Sequence, residues 1–172
     1  MRVDMVATIA RVATLLLAVT FAWASIAKLL RWTRWRDAVA RYRLGGAALT
    51  TEFAVPAVEA GVAALLLWGD ARVGAAASLS LVSIFSLAVL RARAQEGDSL
   101  PCGCFGGATE RDYRHMLVRN ASIAALAALV LAQPPDLQSP STEEALPAAL
   151  TLLGACGIAW LAHHASASLL RR

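Results

Sequence analysis

The residues whose types and spacing could do chemistry lie in one short stretch, Pro101-Cys102-Gly103-Cys104-Phe105-Gly106-Gly107. Two of the chain's three cysteines stand there one residue apart on a glycine-rich turn. A Cys-Gly-Cys pair can close into a small disulfide ring, because Gly103 has no Cβ to clash in the tight backbone that such a ring needs. The same pair could present two thiolates to a soft ion such as Cu(I), Zn or Hg, with His115 or His163 completing the site. The plain alternative is two free thiols in a polar turn, and a third reading is a non-catalytic scaffold whose loop docks another protein, with oxidised cysteines merely shaping it. Three cysteines cannot make a disulfide framework, so the fold does not depend on cross-links and the pair is left for other uses.

The charges around the pair bear on its reactivity. Arg111, Arg114 and His115 follow it and favour a thiolate, as does the start of the next helix, whereas Glu96 and Asp98 precede it and oppose one. In thiol–disulfide exchange one cysteine would attack a partner disulfide and the other would resolve the mixed disulfide. Serine nucleophiles, phosphate loops and zinc-protease spacings are not found, so no hydrolase is expected.

The elements that must position this loop are apolar. The chain of 172 residues is 58% hydrophobic and only 16% charged, against about 25% charged in soluble domains. The apolar excess is concentrated in five blocks, about 5–30, 47–68, 73–90, 116–132 and 146–165. The expected fold is therefore all-α, a single polytopic membrane bundle with a four-helix core and about five spans. Ala22-Trp23-Ala24 mimics a signal cleavage site, but the first run exceeds the roughly 7–15 residues of a signal h-region and reads as a retained span.

Between the first two spans lies Arg31-Trp32-Thr33-Arg34-Trp35-Arg36-Asp37, then Arg41-Tyr42-Arg43. Arginine among aromatics could read as a nucleic-acid surface. Directly after a span it reads as an aromatic belt with snorkelling arginines, and no nucleic-acid partner is expected. The second span holds Pro56 and Glu59. A carboxylate midway through an apolar helix must be paired or protonated. Lys28, the only lysine, closes the first span at the same membrane face and is the expected partner. A protonated Glu59 on a quinone or proton path is the rival, although nothing else in the sequence supports a quinone. The serines of the third span, Ser78, Ser80, Ser83 and Ser86, read as packing glue.

Arg91 to His115 reads as the central loop, with the thiol segment at about 95–112. The fourth span carries Arg119-Asn120 in its first turns, and Gln133-Pro134-Pro135 stops it. Cys156 in the fifth block reads as a packing residue, and His163-His164 as interfacial. With five crossings, Arg31–Arg43, the thiol loop and Arg171-Arg172 share one face, which the positive-inside rule makes cytoplasmic.

This pattern resembles the MauE family, within a broader MauE/DoxX group of redox-associated membrane proteins. The likeness rests on Cys102-Gly103-Cys104-Phe105-Gly106 after the third span, Lys28 closing the first, Tyr42 in the connector, Pro56-Ala57-Val58-Glu59 and Arg119-Asn120. It covers roughly residues 15–132 and departs at Gly45-Gly46, where the family often has proline. The resemblance implies a multi-pass protein of the bacterial inner membrane. It also implies work with a thioredoxin-like partner in maturing disulfide-containing proteins, the namesake being methylamine dehydrogenase. Cys102 and Cys104 would carry the redox chemistry as a disulfide without another cofactor, supported by Lys28, Glu59, Arg111, His115 and Arg119. It further implies an extracytoplasmic thiol loop, against the arginine distribution, so the sequence leaves the side of the loop and the oligomeric state open.

Overall fold

The computed structural model describes residues 2–42, 44–101 and 110–133. Five helices account for most of them: α1 (Arg2–Leu30), α2 (Trp32–Arg41), α3 (Ala48–Trp68), α4 (Ala71–Glu96) and α5 (Tyr113–Leu131). Four of these, all but α2, are long and apolar enough to cross a membrane. The expected helical membrane bundle is thus present with four spans, and the fifth apolar block at 146–165 lies outside the described residues.

Local chemistry sets the boundaries. Gly69 donates its N–H to the Leu65 carbonyl and ends α3. Asp70 then caps α4, its Oδ1 accepting from the Arg72 and Val73 amides at 2.8 and 3.3 Å. With two residues between them, α3 and α4 must run antiparallel. At its far end α4 stops at Gly97, whose φ of +90° is a conformation few residues other than glycine adopt. Asp112 repeats the capping device for α5, accepting from the Arg114 amide at 2.8 Å.

α1 packs chiefly on α3, and α4 on α5. The core between them gathers Leu17 and Phe21 from α1, Val62 and Leu66 from α3, Leu81 and Val82 from α4, and Ala127 and Val130 from α5. The outside is apolar as well. Leu30, Leu87 and Val118 are each at least 67% exposed. A surface of that kind fits lipid tails rather than water. Towards the α1 N-terminus an apolar groove remains between Ile9, Val12 and Leu16 on α1 and Leu126 and Leu129 on α5.

Two elements differ from the expectation. The arginine–tryptophan connector is a helix, α2, followed by a 3-10 turn at Gly45–Ala47. It presents Trp35, Ala38 and Val39 to the bundle at i, i+3 and i+4. Trp35 is therefore a buried residue and not part of an aromatic belt. The region expected as one loop from Arg91 to His115 is mostly regular, because α4 continues to Glu96 and α5 begins at Tyr113. Between them two strands, β1 (Ser99–Pro101) and β2 (Glu110–Asp112), pair antiparallel.

α4 approaches α3 closely at Gly74. A Cβ there would lie 2.8 Å from Leu66 Cγ and 3.1 Å from the Leu66 amide nitrogen. Leu66 is fully buried and cannot give way. Gly74→Ala is expected to destabilise the bundle by about 1–3 kcal/mol. Gly61→Ala, where an added Cβ meets nothing within 4 Å, should leave it unchanged or slightly more stable. Thermal unfolding of the two variants in detergent checks the pair.

Candidate functional site

The alternation of the spans brings the C-terminal ends of α1 and α4 and the N-terminal ends of α3 and α5 to one end of the bundle. α2 and the β1–β2 stem lie at that end too. Tyr42, just past α2, packs with Val89 and Ala92 of α4 and Met116 of α5. The connector and the stem region therefore share one small apolar cluster.

Below α2 sits a buried ion pair. Lys28 Nζ donates to both carboxylate oxygens of Glu59, at 2.7 and 2.8 Å, and each residue is only 1% exposed. Helix geometry makes the contact. Side chains lean towards their own helix's N-terminus, and in antiparallel helices the two lean towards each other. Lys28 thus reaches down α1, near enough to touch the Ala24 carbonyl at 3.4 Å, while Glu59 reaches up α3. The Trp35 ring lies over the ammonium, 5.2 Å from centroid to Nζ, and adds a cation–π contact.

Pro56 shapes the rest of this cluster. It has no N–H, so the carbonyl of Glu52, four residues earlier, loses its helical donor. The Trp35 indole N–H supplies one, at 2.9 Å. Ser25 donates to the Pro56 carbonyl at 2.9 Å and ties α1 to the same turn. The Glu52 carboxylate, itself buried, accepts from Arg36 Nε at 2.9 Å. α2 is thereby fastened to α3 by a main-chain acceptor and a side-chain acceptor of one residue.

A second polar cluster joins α4 to α5. Asn120, 2% exposed, donates from Nδ2 to Ser86 Oγ at 3.1 Å and accepts from Arg119 Nη2 at 3.0 Å. Ser86 also donates to the Val82 carbonyl, so this serine is a cross-helix acceptor as well as a packing residue.

The third group surrounds the stem. Arg93 Nε donates to Asp98 Oδ1 at 2.8 Å, and its guanidinium stacks on the Tyr113 ring at 4.0 Å. The Tyr113 amide donates to the Asp98 carbonyl at 3.1 Å, and Arg114 Nε to the Tyr113 hydroxyl at 3.3 Å. In the strand register Ser99 faces Asp112, Leu100 faces Arg111 and Pro101 faces Glu110. The segment 102–109, with both cysteines of the pair, connects those last two positions.

Of the residues singled out from sequence, Lys28 and Glu59 are in direct contact. Arg119 belongs to the α4–α5 cluster. His115 is exposed on the first turn of α5, and Arg111 lies in β2. Cys102, Cys104, Cys156, His163 and His164 lie outside the described residues. Among the described residues no group of three His, Cys, Asp or Glu side chains could hold a metal. Sequence reasoning missed Glu52, Ser25 and the partner of Trp35. The available signal was Pro56, which announces an orphaned carbonyl four residues upstream.

Removing one member of the ion pair should be severe. Glu59→Gln leaves the Lys28 ammonium without its counter-charge inside the bundle and is expected to cost about 3–5 kcal/mol. The double variant Lys28→Met/Glu59→Leu should recover most of that loss. Trp35→Phe, which removes only the indole donor, should cost about 1–3 kcal/mol. Unfolding free energies of the full chain in detergent test all three.

No curated protein and no solved structure matches the chain. The family described as methylamine utilisation protein MauE matches residues 6–133, which contain all four described spans, both polar clusters and the stem. Four apolar helices and this match together make the chain a multi-pass membrane protein. It is a member of the MauE family, associated with methylamine utilisation.

Proposed function

We propose that this protein is a thiol–disulfide exchange component of the bacterial inner membrane, working with a thioredoxin-like partner to mature disulfide-containing proteins. The observation that carries the reading is the pairing of Pro101 with Glu110. It closes the base of the segment that contains Cys102 and Cys104, at the water-facing end of a bundle whose polar contacts concentrate there. Holding two thiols close in a short closed segment raises their effective concentration for each other, which favours a cycling disulfide.

The exchange balances without a further cofactor. A thiolate of the pair attacks one sulfur of the partner disulfide, the partner's S–S bond breaks, and its second sulfur leaves as a thiolate. The other cysteine of the pair then attacks the mixed disulfide. The partner departs as a dithiol, and a Cys102–Cys104 bond has formed. Two electrons and two protons pass to the partner, and the same steps reversed oxidise it. Arg111, Arg114 and His115 lie on the strand and helix that follow the pair, where positive charge favours the thiolate. Arg119 supports the site from α5, one of the two helices that carry the stem, and Lys28 and Glu59 do so from α1 and α3 by way of α2 and Tyr42.

Labelling with a membrane-impermeant maleimide in intact cells, before and after reduction, tests sidedness and redox state together. Where the pair stands oxidised at the outer face, both thiols should label only after reduction. Cys102→Ser and Cys104→Ser should each abolish the change in the partner's oxidation state. If neither variant moves it, exchange is not the function.

A further inference from the structure

The four described spans form a ring: α1 packs on α3, α3 on α4, α4 on α5 and α5 on α1. The α1–α5 seam carries the apolar groove between Ile9, Val12 and Leu16 on one side and Leu126 and Leu129 on the other. Those three α1 side chains are 38–49% exposed, although their neighbours Ala10, Ala13 and Leu17 are buried. α5 is also the least covered of the four, with 22% of its apolar stretch buried against 50% for α1. A concave seam between two helices is a shape into which the side-chain ridge of a third helix packs.

The groove lies where the chain leaves the bundle. Leu126 and Leu129 stand five and two residues before the end of α5 at Leu131, so within about 8 Å of that end along the axis. Beyond the described residues the sequence continues with a polar connector, 134–145, and then the apolar block 146–165. The connector reaches about 40 Å when extended, several times the roughly 8–10 Å between packed helix axes. The block contains no Asp, Glu, Lys or Arg, and as a helix it would rise about 30 Å, the thickness of a bilayer core. It carries Gly154 and Gly157 three apart, and glycine lets helix backbones approach closely in a membrane.

We infer that the block 146–165 crosses back as a helix antiparallel to α5 and seats in the α1–α5 groove, its first half covering Ile9, Val12, Leu16, Leu126 and Leu129. Lipid tails can meet these side chains too, and apolar attraction alone does not separate a tail from a leucine. Tethering does: the connector holds the block beside the groove at an effective concentration on the order of millimolar. A second copy of the chain must be recruited from the bilayer and brings a block of its own. The inference is independent of the thiol chemistry, because it concerns the opposite end of the bundle.

Disulfide cross-linking of the full chain in native membranes tests it, in a Cys102→Ser/Cys104→Ser/Cys156→Ser background. Val12→Cys or Leu126→Cys is combined in turn with Ala149→Cys, Leu150→Cys, Thr151→Cys or Leu152→Cys, neighbours that cover a full helical turn at the depth of the groove. Under mild oxidation at least one of the four should form an intramolecular disulfide with each groove position, read as loss of the mobility shift given by a maleimide-linked polyethylene glycol. Val73→Cys should form none, since Val73 is about as exposed as Val12 and at the same end, but on α4, which does not border the groove. A dimer band makes a second copy the occupant and overturns the inference. Cross-linking to Val73→Cys overturns it too, as does cross-linking to nothing, which leaves lipid in the groove. Footprinting of the unmodified protein with a lipid-soluble diazirine decides if the variants fail to fold. Val12 should then lose most of the labelling that Val73 receives, and equal labelling of the two overturns the inference.

Discussion

The Lys28–Glu59 pair is the constraint around which the rest of the thiol end is arranged. A lone charge at the centre of a membrane helix costs about 2.5–3.5 kcal/mol to insert. Two charges brought together inside the bundle escape most of that cost only if their geometry is good and their remaining donors are occupied. Here a carboxylate accepts twice from one ammonium, which also touches a carbonyl and an indole face. Sliding α1 by one turn against α3 would break both bonds to the carboxylate at once. The pair therefore fixes the register of two helices that apolar packing alone would leave free to slip.

Register at this end has consequences beyond α1 and α3. Pro56 opens a gap in the hydrogen bonding of α3, and Trp35 closes it from α2. α2 ends near Tyr42, which shares its packing with Met116 at the start of α5 and Val89 near the end of α4. The stem grows directly from those two helix ends. A chain of contacts thus runs from the buried ion pair through α2 to the base of the segment that holds Cys102 and Cys104. It is this continuity, and not the ion pair by itself, that relates an intramembrane lysine to the stem between α4 and α5.

Much of the fold was legible in the sequence because its signals are strong and local. Apolar blocks of the right length gave the spans, and a sole lysine opposite a sole midspan acid gave their contact. What stayed hidden was relational. α2 is too polar to be a span, and its arginines pointed to an interface. Nothing in the sequence order says that one tryptophan of the connector turns inward to meet a carbonyl seventeen residues on. Glu52 escaped notice because it stands near the start of its span, where an acid could face water. The stem was missed because three-residue strands, one ending in proline, fall below any periodic signal. The position of the thiol segment between α4 and α5 was readable, whereas the closure of its base required the strand register.

The two ends of the bundle hold different kinds of order. At the thiol end, bonds are directional and break if helices tilt. At the other end α1 and α5 meet across a groove lined chiefly by Ile9, Val12, Leu16, Leu126 and Leu129, side chains that attract one another by dispersion. Dispersion tolerates small shifts that a hydrogen bond does not. Changes in bilayer thickness or neighbouring helices would therefore be absorbed by splaying at the groove, much as tongs open at their tips while the joint stays shut. The β1–β2 stem, mounted at the joint, would keep its geometry while the membrane around it varies.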